Sequence, residues 1–248
     1  MRNKGNIWFC ASILIGMLSM LFSGCKKDNN TIGSANGKTT AIFNPGLTYG
    51  TMKDQDGNLC NTIQIDKQVW MAENLKATKY RNGDLIETTD PATLSIAQES
   101  NPEYQWPCLN DESNVATYGR LYTWFAVTDS RNLAPEGWHV ASNEEWAALR
   151  DFLGGENIAG GKLKETGTTH WAYPNTGATN ESGFTALPGG LRDPGGFFYT
   201  DAQPGNWWTS TGIDTQKAWH AYTDGVASYL LLISSTKAVG YSVRCVKD

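Results

Sequence analysis

The clearest pattern of apolar and polar positions lies in residues 134–153, and it predicts a turn, a short strand and then a helix. Ser142 and Glu145 have the spacing of a capping box, in which each side chain accepts from the backbone N–H of the other residue. An apolar stripe at helical spacing follows: Trp146, Leu149, Phe152 and Leu153. Because glycine adopts the left-handed conformation that ends many helices, Gly154 and Gly155 place the end of this helix at residue 153.

A second apolar stripe predicts a helix over residues 117–127; it consists of Tyr118, Leu121, Tyr122 and Phe125. A shorter helix is predicted at residues 72–76. Strand-like runs bounded by turn residues predict a hairpin at 62–71, a strand at 207–210, a hairpin at 219–233 and a final strand at 241–246. Residues 165–206 are rich in glycine and are predicted to be mostly loop. Two main helices, short antiparallel strands and a long Gly-rich loop region indicate an α+β fold.

The first 24 residues have the composition of a signal peptide. Arg2 and Lys4 precede an apolar run over residues 7–22, which is too short for a comfortable membrane span. Two small residues follow, directly before Cys25. Residues 1–24 therefore resemble a bacterial lipoprotein leader, and Cys25 is predicted to be the lipidated first residue of the mature chain, with palmitate among its acyl groups. An uncleaved N-terminal anchor helix is the alternative.

The rest of the chain divides into two parts. Residues 25–46 are polar and are predicted to be a flexible tether, because they bury too little apolar surface to offset their ordering entropy. Residues 47–248 are predicted to form one domain, with enough apolar content (40% of the whole chain) for a sizeable core. The net charge is −5, and no run of basic residues is present, so we expect no nucleic-acid partner.

Three cysteines lie beyond Cys25, namely Cys60, Cys108 and Cys245. An exported protein meets an oxidising compartment, which favours one disulfide and one spare thiol. Of the three possible pairings we expect Cys60–Cys245, because both residues lie in strand-like runs near the two ends of the domain. Three unpaired buried cysteines are the alternative.

No residues with the spacing of a known catalytic site stand out. None of His139, His170 and His220 has a second histidine three or four residues away, so the sequence predicts no helical two-histidine metal site. Nucleophile elbows, phosphate-binding loops and dinucleotide fingerprints are absent from the sequence. We therefore expect no catalytic residue, no metal and no cofactor.

Oxygen-rich loop residues are the only candidates for an ion. Residues 111–112 (DE) and 180–182 (NES) carry side chains of the kind that Ca²⁺ prefers. The more ordinary interpretation is that they form solvated turns or fix loops. Asn180 and Glu181 also remain candidates for contact with a ligand.

Aromatic residues give the best argument for binding, because the flat C–H faces of sugars stack on rings. Trp207 and Trp208 point to opposite faces if they lie in a strand, so one ring is predicted to be in the core and the other accessible. The accessible ring would lie near Arg192 and the glycine loops. Packing of both rings in the core is the alternative.

Several segments together resemble one family, the Fibrobacter succinogenes major paralogous domain, found in exported proteins of Bacteroidetes and Fibrobacteres. They run from about residue 49 to the C-terminus: 69–75 (VWMAENL), 112–119 (ESNVATYG), 121–124 (LYTW), 134–140 (APEGWHV), 161–165 (GKLKE), 180–190 (NESGFTALPGG), 207–210 (WWTS) and 242–246 (SVRCV). The resemblance implies a C-type-lectin-like fold akin to the formylglycine-generating enzymes, in which the first and last strands pair. Those enzymes act through a C-terminal cysteine pair; here Cys245 stands alone in that region, so that activity is not expected.

These observations lead to an expected function. The protein is expected to be a lipid-anchored lipoprotein of the cell envelope, at the outer membrane, and a non-catalytic binding or adhesion module for a glycan or an envelope protein. Two other functions stay open: an exported enzyme that uses residues of the long loop, and a structural surface component with no small ligand.

Overall fold

The computed structural model describes residues 37–199 and 204–248, which belong to one compact unit. In this part of the chain the helices are α1 Val115–Tyr118, α2 Trp124–Val127, α3 Asn143–Phe152 and α4 Glu156–Leu163, with 3₁₀ turns at Cys108–Asn110 and Glu112–Asn114. The strands are β1 Gly50–Lys53, β2 Leu59–Ile65, β3 Gln68–Met71, β4 Gln105–Pro107, β5 Arg120–Tyr122, β6 Trp138–Val140, β7 Leu191–Arg192, β8 Phe198–Tyr199, β9 Gly205–Gly212, β10 Lys217–Thr223, β11 Leu231–Thr236 and β12 Cys245–Lys247.

The main sheet has the strand order β1-β2-β3-β12-β6, with antiparallel neighbours throughout. The predicted hairpin at 62–71 is confirmed: β2 and β3 pair from Thr62↔Met71 to Ile65↔Gln68. The last strand is shorter than predicted, because only Cys245–Lys247 is a continuous strand. The last strand, β12, pairs with β3 and β6. It does not pair with the first strand, β1, so the expected pairing of the first and last strands is wrong.

A smaller three-stranded sheet has the order β11-β10-β9. The predicted strand at 207–210 lies within β9, and the predicted hairpin at 219–233 is β10 with β11. The loop that connects β10 and β11 covers residues 224–230. Residues 165–190 contain no strand or helix, which agrees with the predicted loop region, and the short pair β7–β8 follows.

Apolar residues cover both faces of the main sheet, so the domain has two hydrophobic clusters. Met71 and Cys245 contribute to one cluster, whereas Trp70 and Val246 contribute to the other. Successive residues of a strand point to opposite faces, which explains this division. The helix α3 packs its buried stripe in the second cluster through Trp146, which lies 5.0 Å from the Trp70 ring.

The predicted helix at 142–153 is confirmed as α3, with both hydrogen bonds of the capping box present. The predicted helix at 117–127 is wrong. The chain instead forms α1, β5 and α2, because Gly119 has a φ of 74° and ends α1. A Cβ at Gly119 would lie 2.7 Å from the Asn74 Cβ, so the close approach of these two segments requires glycine.

Two further differences concern short helices. Residues 72–76 are not helical, since their backbone bonds reach distant segments, as when Leu75 N–H donates to the Val243 carbonyl at 2.9 Å. The helix α4 was not predicted, because the sequence places two glycines inside it. A Cβ at Gly160 would overlap the Tyr229 carbonyl, so this glycine permits close packing of α4 against the β10–β11 loop.

Residues 37–46 are part of the folded domain, to which several of them are hydrogen-bonded. The predicted flexible tether, residues 25–46, therefore extends too far toward the C-terminus. The Ile42 N–H donates to the buried Glu165 carboxylate at 2.5 Å, and the Thr40 hydroxyl is 2.9 Å from His170 Nε2. The Asn44 side chain donates to the Asn180 carbonyl at 3.0 Å. Residues 1–36, which include the predicted signal peptide, Cys25 and the rest of the tether, lie outside the described residues. Within the described ranges, no helix is long and apolar enough to cross a membrane.

Candidate functional site

Both tryptophans predicted as ligand contacts are fully buried. Trp207 Nε1 donates to the Asn74 side chain at 2.8 Å, and Trp208 Nε1 donates to the Tyr122 carbonyl at 2.8 Å. The prediction that one of the two rings is accessible is wrong, because β9 lies between the two hydrophobic clusters and each cluster receives one ring. Neither ring can stack on a sugar.

Arg192 is also fully buried, which contradicts its prediction as a ligand contact. Its guanidinium donates to the carbonyls of Ala92 (2.8 Å), Leu94 (2.6 Å) and Asp193 (3.0 Å). It also stacks 3.9 Å above the Trp106 ring. This arginine fixes the loop at residues 92–94 and has no accessible surface for a ligand.

The predicted pair Asn180 and Glu181 separates into a buried and an exposed residue. Asn180 is buried with a φ of 48°, and its side chain accepts from Thr185 N–H at 2.9 Å, so it closes a turn and is not available to a ligand. Glu181 is exposed and lies 2.8 Å from Lys162 Nζ. In residues 37–199 and 204–248, no three His, Cys, Asp or Glu side chains are arranged to hold a metal ion.

The predicted disulfide between Cys60 and Cys245 is not formed, since these two thiols and that of Cys108 are free and buried. Cys60 lies in β2 and Cys245 in β12, on the same face of the sheet but with β3 between their strands. Strands two places apart are about 10 Å apart, beyond the roughly 7 Å between Cα atoms that a disulfide can bridge. Burial raises the pKa of the Cys60 thiol to about 12.

Two histidines are held by carboxylates. His139 lies between Asp248 and Glu145, at 2.7 and 2.8 Å. His170 Nδ1 lies 2.7 Å from Glu165, and its other nitrogen contacts Thr40. These contacts link segments that are distant in sequence, which is a structural role.

A partly exposed aromatic surface, in which Tyr222 and Tyr229 are half-buried, forms where two loops meet, and sequence reasoning did not find it. It consists of Tyr173, Tyr222, Val226 and Tyr229, hereafter the tyrosine surface. Tyr173 is 87% exposed and Val226 is 64% exposed. The rings of Tyr222 and Tyr229 stack with centroids 5.9 Å apart and an interplanar angle of 22°. Both of their hydroxyls donate to Asp224, which therefore fixes the two rings.

Lys164 joins the loop that carries Tyr173 to the loop between β10 and β11. Its ammonium is fully buried and donates to the carbonyls of Thr176 (3.0 Å), Asp224 (2.8 Å) and Ala227 (2.7 Å). All three of its donors are thus used. Burial lowers the pKa of Lys164 to about 8. Because one side chain bonds the carbonyls of both loops, it fixes the two loop backbones relative to each other.

A signal for this surface is present in the sequence, although it is weak. Tyr173 stands directly before Pro174, and Tyr222 stands two residues before the Asp224-Gly225 turn. An aromatic residue beside such turn residues lies on a loop, where exposure is usual. The sequence does not show that the two loops pair. They are far apart in the chain, and the structure joins them by a hydrogen bond from the Thr176 N–H to the Gly225 carbonyl at 2.9 Å.

Four of the segments that carried the resemblance meet at Asn74, in the buried core. Asn74 Oδ1 accepts from both Trp207 Nε1 and Arg244 Nε, at 2.8 and 2.7 Å. Asn74 Nδ2 donates to the Tyr118 carbonyl at 2.8 Å and to Ser242 at 3.2 Å. These residues organise the fold, and none of them is available to a ligand.

Comparison with known proteins gives one match. The family described as the Fibrobacter succinogenes major domain matches residues 63–247. No curated protein and no solved structure matches the chain.

Proposed function

The chain belongs to the Fibrobacter succinogenes major domain family, whose name specifies no activity, and we propose that its domain is a non-catalytic module that binds a carbohydrate through the tyrosine surface. The observation that carries this proposal is the highly exposed Tyr173 ring, on a loop that is bonded to the loop of the stacked, half-buried rings of Tyr222 and Tyr229. Sugars present flat C–H faces that stack on such rings. Exposed aromatic groups that are already ordered bind at a lower entropic cost than mobile ones.

We also propose that the α+β domain has a C-type-lectin-like arrangement, in which a long loop region carries the binding site. The position of Tyr173 agrees with this proposal. Tyr173 lies in the long segment between α4 and β9, and that segment contacts the β10–β11 loop through Lys164.

A glycan array followed by calorimetry with a hit from the array tests the binding proposal. Replacement of Tyr173 by Ala should weaken binding by about fivefold, since a lost ring contact is worth roughly 1 kcal/mol. Tyr229→Phe keeps the ring but removes its hydrogen bond to Asp224, so it should weaken binding less than Tyr173→Ala does. Phe152→Ala is the matched control: Phe152 is also an exposed aromatic residue, but it lies on α3.

Three results would overturn the proposal. The first is an array on which no carbohydrate binds to the folded protein. The second is equal loss of affinity in Tyr173→Ala and Phe152→Ala. The third is conversion of a bound carbohydrate to product, which would instead favour an enzyme. Capture of an envelope protein that depends on Tyr173, without carbohydrate binding, would replace the glycan by a protein ligand.

We further propose that the module is anchored at the cell envelope, on the outer membrane, through acyl chains on Cys25. The basic and apolar composition of residues 1–24 and the small residues before Cys25 support this anchor. Acyl chains bind membranes with about 0.8 kcal/mol per buried CH₂ group. Cys25→Ser should abolish labelling with radioactive palmitate and leave an unprocessed or soluble product. Continued labelling of that variant would contradict the assignment.

A further inference from the structure

A second candidate binding site lies away from the loops that form the tyrosine surface. A cleft of about 350 Å³ is lined by residues 37–39, by Asn58, Leu59 and Asn61, and by Glu73 and Lys76. Ligand sites in proteins commonly begin at about 300 Å³, so this cleft has room for a single sugar ring. None of the residues that line it belongs to the tyrosine surface.

The wall of the cleft contains a buried ion pair. Lys76 Nζ lies 3.0 Å from Glu73 Oε1, and the two side chains are only 7% and 5% exposed. Glu73 Oε2 accepts from the Asn61 N–H at 2.6 Å, so both carboxylate oxygens have a partner. Buried charges are costly unless their hydrogen bonds are satisfied.

Lys76 has hydrogen-bonding capacity left over. An ammonium has three donors, and within the described residues that of Lys76 makes one hydrogen bond, to Glu73. A second cation, the exposed Lys38, also lines the cleft. With two lysines and one glutamate among its lining residues, the cleft is positively charged and suited to a carboxylate.

The rest of the lining suits a polyhydroxylated ligand. Asn61 also lines the cleft, and the Glu73 carboxylate can accept further hydrogen bonds from hydroxyls, since each oxygen has more than one acceptor position. Leu59, which is 58% exposed, offers an apolar surface for a C–H face. We propose that this cleft binds an acidic sugar, with its carboxylate on Lys76 and Lys38 and its hydroxyls on Glu73 and Asn61.

Calorimetric titration of the folded protein with D-glucuronate, and separately with D-glucose, tests this site. Glucuronate should bind at least about tenfold more tightly than glucose, because glucose lacks the carboxylate. Lys38→Ala should weaken glucuronate binding severalfold without affecting folding, since Lys38 is exposed. Lys76→Gln should weaken it further. Added salt should also weaken binding, because the contact with Lys38 is exposed to solvent.

Lys79→Ala is the matched control. Lys79 pairs with Asp56 at 3.4 Å and does not line the cleft, so glucuronate affinity should not change. Tyr173→Ala should also leave it unchanged, which separates this site from the tyrosine surface. The proposal is overturned if glucuronate and glucose bind equally, if neither binds at millimolar concentration, or if Lys38→Ala and Lys79→Ala have the same effect.

Discussion

Arg244 shows how single residues hold this domain together. Its fully buried guanidinium donates to Asn74 Oδ1 at 2.7 Å and to the carbonyls of Met71 (2.8 Å), Phe184 (2.9 Å) and Thr185 (3.1 Å). Burial lowers its pKa to about 10, so the side chain stays protonated at neutral pH. The cation thus ties the C-terminal segment to residues 71–74 and to the long loop.

Removing this guanidinium should be strongly destabilising. Arg244→Met would remove the donor from three buried carbonyls and leave Asn74 Oδ1 with Trp207 Nε1 alone, and each unsatisfied buried group costs about 1–3 kcal/mol. We expect the free energy of unfolding in urea to fall by at least about 3 kcal/mol, within the range found when a buried charged network is broken. Arg150→Met, which alters a partly exposed arginine on α3, is the control and should change it by less than about 1 kcal/mol. Similar losses in the two variants would contradict the role of Arg244.

The three buried thiols make a second prediction at the scale of the residue. Because the pKa of Cys60 and of Cys108 is raised to about 12 by burial, almost no reactive thiolate forms at pH 8. Iodoacetamide should leave Cys60, Cys108 and Cys245 unlabelled in the folded protein and label all three in urea, as read by peptide mass spectrometry. A peptide pair linked through Cys60 and Cys245 would show that the predicted disulfide forms after all.

At the scale of elements, α3 is joined to the main sheet through His139. This residue of β6 lies 2.8 Å from Glu145 in the first turn of α3 and 2.7 Å from the C-terminal residue, Asp248. Partial burial acts to lower the pKa of His139, but the hydrogen bonds to Asp248 and Glu145 outweigh it and raise the pKa above the usual 6.5. Charged histidine therefore stabilises the contact between strand and helix.

This contact should make stability depend on pH. Because the folded-state pKa of His139 exceeds its unfolded value, its stabilising contribution is complete below about pH 6.5 and is lost as the pH rises through the folded-state pKa. His139→Gln should therefore reduce the free energy of unfolding more at pH 6 than at pH 8.5. NMR titration should find the His139 pKa above 6.5. A loss that is the same at both pH values would rule out this linkage.

Elements with strong local signals were the ones that the sequence predicted well. The capping box and stripe of α3 act within a few residues of each other, and the β2–β3 hairpin needs only its own turn. The helix expected at 117–127 failed because Gly119 packs against Asn74, and this contact interrupts a stripe that is otherwise helical. The helix α4 was missed for the opposite reason: its glycines serve packing between elements instead of ending a helix.

At the scale of the whole molecule, the segment before the family match contributes to the folded unit. The family matches residues 63–247, but residues 37–46 are hydrogen-bonded to Glu165, His170 and Asn180. Glu165 is a fully buried carboxylate, so the loss of a hydrogen-bond donor to it should lower the stability of the fold.

Shortening the chain tests this contribution. A chain that begins at residue 47, the boundary expected from composition, should unfold with a free energy about 1–3 kcal/mol lower than a chain that begins at residue 37, since Glu165 loses the Ile42 N–H. Thermal unfolding followed by circular dichroism measures the difference. Beginning the longer chain at residue 37 and replacing Ile42 by Pro, which has no N–H, should reproduce most of the loss. If the chains that begin at residues 37 and 47 are equally stable, residues 37–46 contribute nothing to stability and the original prediction of a flexible tether up to residue 46 is supported.

The sequence by itself determined the mixed α+β composition, the helix α3, the β2–β3 hairpin and the family, because these depend on local spacing and on short runs of residues. Tertiary structure alone decided which aromatic rings face water. Trp207 and Trp208 are buried since β9 lies between two hydrophobic clusters, whereas Tyr173, Tyr222 and Tyr229 form one surface since Lys164 joins their loops. Exposure depends on what packs against a residue from distant parts of the chain, and periodicity along the sequence does not contain that information.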